Sequence, residues 1–149
     1  MAVATLVEFA QILQYLLLKG GVVMLKIAAT IFGAAFLIAG LLGFVPATAP
    51  DGMLLGVLHV NAAHNIIHLI TGVVALLAAY SGPRASQLFF QIFGVIYALV
   101  AVLGFMAGDR PLMGMIANNL ADAWFHLIVA AVSLYFGFSR RLVQRPATT

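Results

Sequence analysis

The chain lacks cysteine altogether, and only 7% of its 149 residues are charged. The absence of thiols excludes disulfides, iron–sulfur clusters and cysteine-ligated zinc sites. The shortage of charge, beside an apolar content of 64%, lies far outside the range of soluble globular domains. A single domain of this length cannot bury so much apolar surface in its own core. Lipid is therefore the expected solvent for most of the chain, and a multi-pass integral membrane protein is predicted.

Other absences narrow the function further. The formal net charge is +3, but the basic residues form no stripe or aromatic-interleaved patch, so nucleic acid is not an expected partner. The sequence has no Gly-rich phosphate loop, nucleophile elbow or spaced carboxylate pair. Conventional enzyme chemistry therefore finds little support.

Four apolar segments remain, at residues 22–45, 53–80, 87–106 and 112–138. Each meets the roughly 20 residues that a helix needs to cross the hydrocarbon. Short Pro- and Gly-containing breaks separate them, which makes sequential helices antiparallel neighbours. The predicted fold is an all-α integral membrane protein, an up-down bundle of four transmembrane helices.

The two ends of the chain carry polar residues. Residues 1–21 have a narrow polar stripe at helical spacing and are expected to form an amphipathic N-terminal helix on the membrane surface, ended by Gly20-Gly21. Residues 139–149 are expected to form a basic cytoplasmic tail. The polar stripe consists of Thr5, Glu8, Gln11 and Tyr15.

The distribution of basic residues predicts the orientation. Six of the seven fall on one side of the four spans, and only Arg110 lies on the other side. By the positive-inside rule, both termini and the central loop are expected in the cytoplasm. The loops that contain Asp51 and Asp109 then face outward.

The second half of the apolar region repeats the first. At an offset of 61, and after a shorter loop at 58, the same motifs return, so residues 22–80 and 87–138 each form one helical hairpin. Both hairpins start on the same side, and such parallel repeats are related by a pseudo-twofold axis along the membrane normal. The glycines of the first and third spans are expected to allow close packing against the second and fourth. They are Gly33, Gly40, Gly43, Gly94 and Gly104.

The most informative part of the repeat is polar. Asn61, His64 and His68 are spaced i, i+3, i+7 and share one helical face, and the second half presents Asn119, Asp122 and His126 in the same way. Ionisable side chains inside a membrane are costly, so they indicate a functional site. The pseudo-twofold predicts three layers that descend from the outer surface. In these layers Asn61 faces Asn119, His64 faces Asp122, and His68 faces His126.

One further histidine fails this geometry. His59 lies about 140° around the helix from His64, and its repeat counterpart is Ala117. It is expected to be an interfacial residue outside the cluster.

Two hypotheses give the cluster a ligand. In the first, His64, His68, Asp122 and His126 bind one transition metal, with zinc, iron and copper all compatible with this donor set. In the second, His68 and His126 are axial ligands of a tetrapyrrole, either haem or chlorophyll. In both cases nearby amides are expected to orient the ring nitrogens. These amides belong to Asn61, Asn65, Asn118 and Asn119.

Two other hypotheses need no bound cofactor. The cluster can be a hydrogen-bonded plug that fixes the register of the two hairpins, since interhelical polar pairs specify association in membranes. It can also conduct protons or ions, although few polar residues continue the path towards the cytoplasm. The functional prediction is a membrane protein of unknown activity with a metal or tetrapyrrole in the cluster. The alternative is a non-catalytic accessory or structural subunit of a larger membrane complex, such as a pigment–protein or respiratory one, or a homo-oligomer.

Three segments together carry a family resemblance. They are Leu42-Gly43-Phe44, Val60-Asn61-x-x-His64-Asn65-x-x-His68-Leu69-x-x-Gly72 and Asn118-Asn119-x-x-Asp122-x-x-x-His126-Leu127. On these residues the chain resembles a family of small four-span bacterial membrane proteins, also found in cyanobacteria and actinobacteria, that is classified only as a domain of unknown function. The resemblance covers about residues 27–138 and implies the four-span topology, but no activity.

Overall fold

The computed structural model describes the backbone of residues 2–139 and the side chains of residues 7–12 and 20–139. Within this described part, four helices are long and apolar enough to cross a membrane. The predicted all-α architecture with four candidate spans is therefore confirmed. The expected basic tail lies outside the described residues except for its first residue. The helices are α1 (Ala2–Leu42), α2 (Ala62–Ser81), α3 (Pro83–Ala107) and α4 (Leu120–Phe138).

The first helix is longer than predicted. α1 passes through Gly20 and Gly21 without interruption, so the predicted helix end at this pair is wrong. A glycine inside a helix costs only about 1 kcal/mol relative to alanine, and a continuous helix keeps hydrogen bonds that a break would lose. Glu8 and Gln11 are exposed. The side chains of Thr5 and Tyr15 lie outside the described set, and a membrane-surface position for this segment stays a prediction.

Glycines bring the helices of each hairpin close together, as predicted. A Cβ added at Gly33 of α1 would lie 2.9 Å from the carbonyl oxygen of Gly72 in α2. A Cβ added at Gly94 of α3 would lie 2.9 Å from the backbone nitrogen of Leu134 in α4. Larger residues at these positions would separate the helices and lose the van der Waals contacts that hold transmembrane helices together.

Aromatic side chains join the two hairpins. Phe32 of α1 meets Phe90 of α3 edge-to-face, with ring centroids 5.2 Å apart. Phe36 meets Phe93 in the same geometry at 5.4 Å. Edge-to-face packing is favourable because the positive edge of one ring meets the negative face of the other. These rings form much of the apolar core, and they lie beneath the polar cluster described below.

Two short non-helical segments cover one end of the bundle, which we call the hairpin end. In the first, a 3₁₀ turn (Pro50–Gly52) leads into the antiparallel strands β1 (Met53–Leu54) and β2 (Leu58–His59). In the second, Leu112 and Ile116 form an isolated antiparallel bridge. Both turns place two consecutive residues at positive φ, which are Leu55-Gly56 and Met113-Gly114. This is the backbone requirement of a type I′ turn.

These segments correct two predicted boundaries. The second span was expected to begin at residue 53 and the fourth at residue 112, whereas α2 begins at Ala62 and α4 at Leu120. Residues 53–60 and 112–118 are apolar enough to resemble membrane helix. Gly56 and Gly114, however, support tight turns, and an asparagine at each helix start provides a cap that favours initiation there.

Candidate metal centre

Asn61 and Asn119 are the N-caps of α2 and α4. Each side-chain oxygen accepts a bond from the third helical residue, His64 N at 3.0 Å and Asp122 N at 2.8 Å. Asp122 completes a capping box, because its Oδ2 accepts from Asn119 N at 2.9 Å. Asparagine is favoured here since its oxygen satisfies a helix N–H that has no partner within the helix. The two helices therefore begin at equivalent positions of the repeated motif.

The same two amides also join the halves. Asn61 Nδ2 donates to Met115 O at 2.7 Å, and Asn119 Nδ2 donates to Val57 O at 2.8 Å. Val57 and Met115 are separated by the same offset of 58 as the two asparagines. The sequence predicted that these amides face each other, whereas each bonds the turn of the opposite half. Two hairpins related by a pseudo-twofold axis would show such reciprocity, and the parallel repeat itself stays a prediction.

His64 is anchored through one of its ring nitrogens. Its Nδ1 lies 3.1 Å from the carbonyl oxygen of His59 and 3.0 Å from that of Ala117. Carbonyl oxygens only accept, so Nδ1 must carry the proton in this arrangement. The lone pair of the neutral ring is then on Nε2, which points into the cluster. A backbone carbonyl bound to one ring nitrogen is the usual support for a histidine that ligates a metal through the other.

Asp122 bonds the backbone rather than an imidazole. Its Oδ2 accepts from His59 N at 3.0 Å in addition to the capping bond from Asn119. Asp122 thereby fastens the start of α4 to the end of β2 in the other half. It was predicted as a fourth metal ligand opposite His64. Among the described residues, the side chains that could share one ion are three histidines, and Asp122 does not belong to this group.

His59, expected outside the cluster, takes part through its backbone. Its N–H bonds Asp122 and its carbonyl bonds the ring of His64. The side chain is half-buried. This role could not be predicted from the sequence, because backbone groups carry no residue-type signal.

Three imidazoles converge beneath these anchors. One nitrogen from each of His64, His68 and His126 lies within 4.8 Å of the others, and all three residues are at least 93% buried. The Nε2 atoms of His64 and His68 are 3.1 Å apart. Among the described residues, Nδ1 of His68 and Nδ1 of His126 have no hydrogen-bond partner although both are buried. The structure therefore brings together three of the four predicted ligands.

An aromatic floor, formed by Phe36 and Tyr97, closes the cluster from below. Phe36 meets His68 edge-to-face with centroids 5.0 Å apart, and Tyr97 meets His126 in the same way at 5.3 Å. The two aromatic rings also contact each other, at 5.6 Å. This pair was not among the predicted site residues. Phe36 and Tyr97 are separated by the same offset of 61 as the repeated glycines, so the repeat contained the signal.

Asn65 and Asn118 were predicted to orient ring nitrogens, but their contacts are to helix backbones and glycines. Asn118 Nδ2 donates to the carbonyl oxygens of Gly108 at 2.6 Å and Gly104 at 3.3 Å, near the end of α3. Asn65 packs so tightly against Gly43 that a Cβ added there would overlap its side chain. Both amides thus hold the two helices of their own hairpin together, while backbone carbonyls orient His64.

A cavity of about 300 Å³ adjoins the three histidines. Its wall is mostly aliphatic, with hydroxyl groups from Thr71 and Tyr97. The cavity leaves a space next to the three imidazoles that the protein does not fill. Three protein ligands and an adjacent space are the arrangement of metal sites that keep one coordination position open.

The donor set fits a transition-metal ion. Zinc–imidazole bonds of about 2.0–2.1 Å at tetrahedral angles separate neighbouring ligand nitrogens by roughly 3.3 Å. The 3.1 Å between His64 and His68 is close to this value, and side-chain rotation can close the remaining gap to His126. Neutral imidazole suits zinc, copper and iron alike.

Comparison with known proteins gives a family but no characterised relative. No curated protein and no solved structure matches the chain. A family model matches residues 26–139, which include all four candidate spans except the start of the first, and the whole histidine cluster. The chain therefore belongs to the family described as Domain of unknown function (DUF4383).

Proposed function

We propose that this chain is a multi-pass membrane protein that binds a transition-metal ion through His64, His68 and His126. The observation that carries the proposal is the convergence of three buried imidazole nitrogens within 4.8 Å of one another. Zinc is the ion best suited to three imidazoles and one further ligand, and copper and iron are compatible with the same donors. A bound ion would also give the buried lone pairs of the cluster a favourable partner.

The geometry favours an ion over a tetrapyrrole. A haem held by His68 and His126 needs a flat ring between its two axial ligands. The imidazole of His64 lies 3.1 Å from that of His68 and 5.9 Å, centroid to centroid, from that of His126. It therefore occupies the space in which the macrocycle would lie. The aromatic floor limits the same space from the other side.

A hydrogen-bonded plug is the second candidate, and the bonds between the halves favour it. The bonds from Asn61, Asn119 and His59 join the hairpins without any ion. In that case the protein would be a structural or accessory subunit of a larger membrane complex. The bonds that form the plug, however, use neither His68 nor His126, so the plug gives no role to the convergence of three buried imidazoles.

We further propose that the hairpin end faces away from the cytoplasm. Lys26 near the start of the first span and Arg84 in the first turn of α3 lie at the opposite end, as the positive-inside rule expects of cytoplasmic ends. The metal would then be reached from the outer half of the bilayer, because His68 lies only about 10 Å along α2 from its N-cap. The exposed sides of the helices would contact lipid.

The test is metal content in purified protein. The protein is solubilised in mild detergent, and its visible absorption spectrum and elemental composition are measured on one sample. We expect an equimolar transition metal and no Soret band. His126→Ala and His68→Ala should each lose the metal, while His59→Ala should retain it because His59 contributes only backbone groups.

Circular dichroism and gel filtration establish that each variant is folded. A folded, colourless and metal-free wild-type protein that also fails to take up added Zn²⁺ or Cu²⁺ would overturn the proposal and favour the plug. A Soret band would favour the tetrapyrrole. Equal metal loss in the His59 and His126 variants would refute the assignment of the ligands.

A further inference from the structure

A long apolar groove connects the histidine cluster with the opposite end of the bundle. The cavity beside the histidines shares Thr71, Phe93 and Ile96 with a second cavity of about 450 Å³. This second cavity continues between α2 and α3 as far as Ser81 and Ala85. We call the two together the α2–α3 groove. From His68 to Ser81 it extends roughly 20 Å, by the helical rise of 1.5 Å per residue.

The groove opens sideways. Ile67, Ile96 and Leu103 border its upper part and are exposed, as are Leu77 and Leu88 lower down. In a bilayer these side chains face lipid rather than water, so the groove is entered from the hydrocarbon. A water-soluble substrate cannot approach by this route.

Polarity along the groove is uneven. Apart from Ser81 at its far end, its polar groups gather at the histidines, where the hydroxyls of Thr71 and Tyr97 also lie. The remaining wall is aliphatic or aromatic. Pockets of this kind fix a ligand's orientation with a few polar groups and bind the rest of it through apolar contact.

We propose that the α2–α3 groove binds a membrane-dissolved amphiphile with one apolar chain, whose compact polar head coordinates the open position of the metal. The length of the groove matches an extended chain, its rim faces the phase in which such molecules dissolve, and its polar end coincides with the three imidazoles. The inference rests on the proposed metal site. It adds the chemical class of the molecule that the site serves.

The experiment uses cobalt-loaded protein in lipid nanodiscs, because the visible bands of Co²⁺ report both its binding and its ligands. The probes are acetohydroxamate and dodecanohydroxamate, which share a metal-binding head and differ in chain length. Val74→Trp and Ala85→Trp fill the groove from α2 and α3, respectively. Ile128→Trp is the matched control, because Ile128 is exposed on α4 and does not line the groove.

We expect both groove variants to lower the affinity for dodecanohydroxamate at least tenfold. Their affinity for acetohydroxamate should change by less than twofold. The control variant should change the affinity for neither probe by more than twofold. Partitioning of the long chain into lipid is the same for all proteins, so the comparison between variants isolates the groove. Circular dichroism and equimolar cobalt confirm that each variant retains its fold and site.

The two proposals fail in different ways. If wild-type protein shows no cobalt bands, the metal site is refuted and this inference with it. If cobalt binds but both groove variants bind the long-chain probe as well as wild type does, only the amphiphile is refuted. That outcome would mean that ordinary lipid chains merely cover the groove.

Discussion

Replacement of Asp122 distinguishes two possible roles of this residue, as a metal ligand or as an anchor for the backbone of both halves. Asp122 is 98% buried, and its Oδ2 accepts two backbone bonds, from His59 N at 3.0 Å and from Asn119 N at 2.9 Å. Asparagine has nearly the same shape and keeps an acceptor oxygen, but it carries no charge. If Asp122 ligated the metal, Asp122→Asn would remove the ion. If it acts as an anchor, the ion stays and the protein loses stability.

The size of the expected loss in the free energy of unfolding follows from the two hydrogen bonds that Asp122 accepts. A hydrogen bond to a charged group contributes about 1.5–3 kcal/mol and a neutral one about 0.5–1.5 kcal/mol. Asp122→Asn weakens both bonds and should lower the free energy of unfolding by about 2 kcal/mol, by the same comparison. Asp122→Ala removes both and should lower it by about 4 kcal/mol, since two backbone N–H groups lose their acceptor.

Unfolding in mixed detergent–dodecyl sulfate micelles measures both changes, and elemental analysis of the same samples gives the metal content. Asp122→Asn is expected to keep equimolar metal. Metal loss in a folded Asp122→Asn protein would refute the three-histidine site and restore Asp122 as a ligand. Wild-type stability in both variants would refute the role of Asp122 as an anchor.

Two further predictions concern packing and pH. Gly43→Ala should lower the free energy of unfolding by about 1–3 kcal/mol, because the new Cβ overlaps Asn65 in a tightly packed helix pair. Gly20→Ala should raise the free energy of unfolding by about 0.4–1 kcal/mol, since that position is helical and open. If Gly20→Ala proved less stable than Gly43→Ala in the micelle assay, the packing described would be contradicted. Acidification should release the metal, because protons compete with it for neutral imidazole, and pH-independent retention across the acid range would argue against histidine ligands.

Much of the fold could be predicted because membrane helices follow from length and hydropathy. The four spans and the close packing at Gly33 and Gly94 were predicted for that reason. The starts of α2 and α4 were not, since apolar turns and apolar helix look alike on a hydropathy scale. The informative signals were Asn61 and Asn119, three residues before His64 and Asp122. That spacing is typical of an N-cap, but both asparagines were assigned to a helical face.

Assigning capping residues to a helical face also explains the one predicted ligand that the structure does not bring to the cluster. Histidines at i, i+4 in α2 and one repeat-related histidine in α4 were sufficient to predict the three imidazoles that the structure brings together. Asp122 was added because it shares the face of His126, but a capping box gives an acidic residue a structural use at that position. The groups that orient His64 are backbone carbonyls of the two hairpin-end segments, one from each half. Only tertiary structure brings them together, and no residue pattern announces them.

The two carbonyls that hold His64 have a consequence for how the protein is made. One comes from His59 in the first half and the other from Ala117 in the second. During synthesis the first hairpin leaves the ribosome before the segment that carries Ala117, so the ring of His64 at first has only one of its two carbonyl partners. The nascent chain therefore cannot bring the three imidazoles together until α4, which carries His126, has been inserted. Loading of the proposed metal would then be a late step of biogenesis, and a product truncated before α4 would lack one of the three imidazoles.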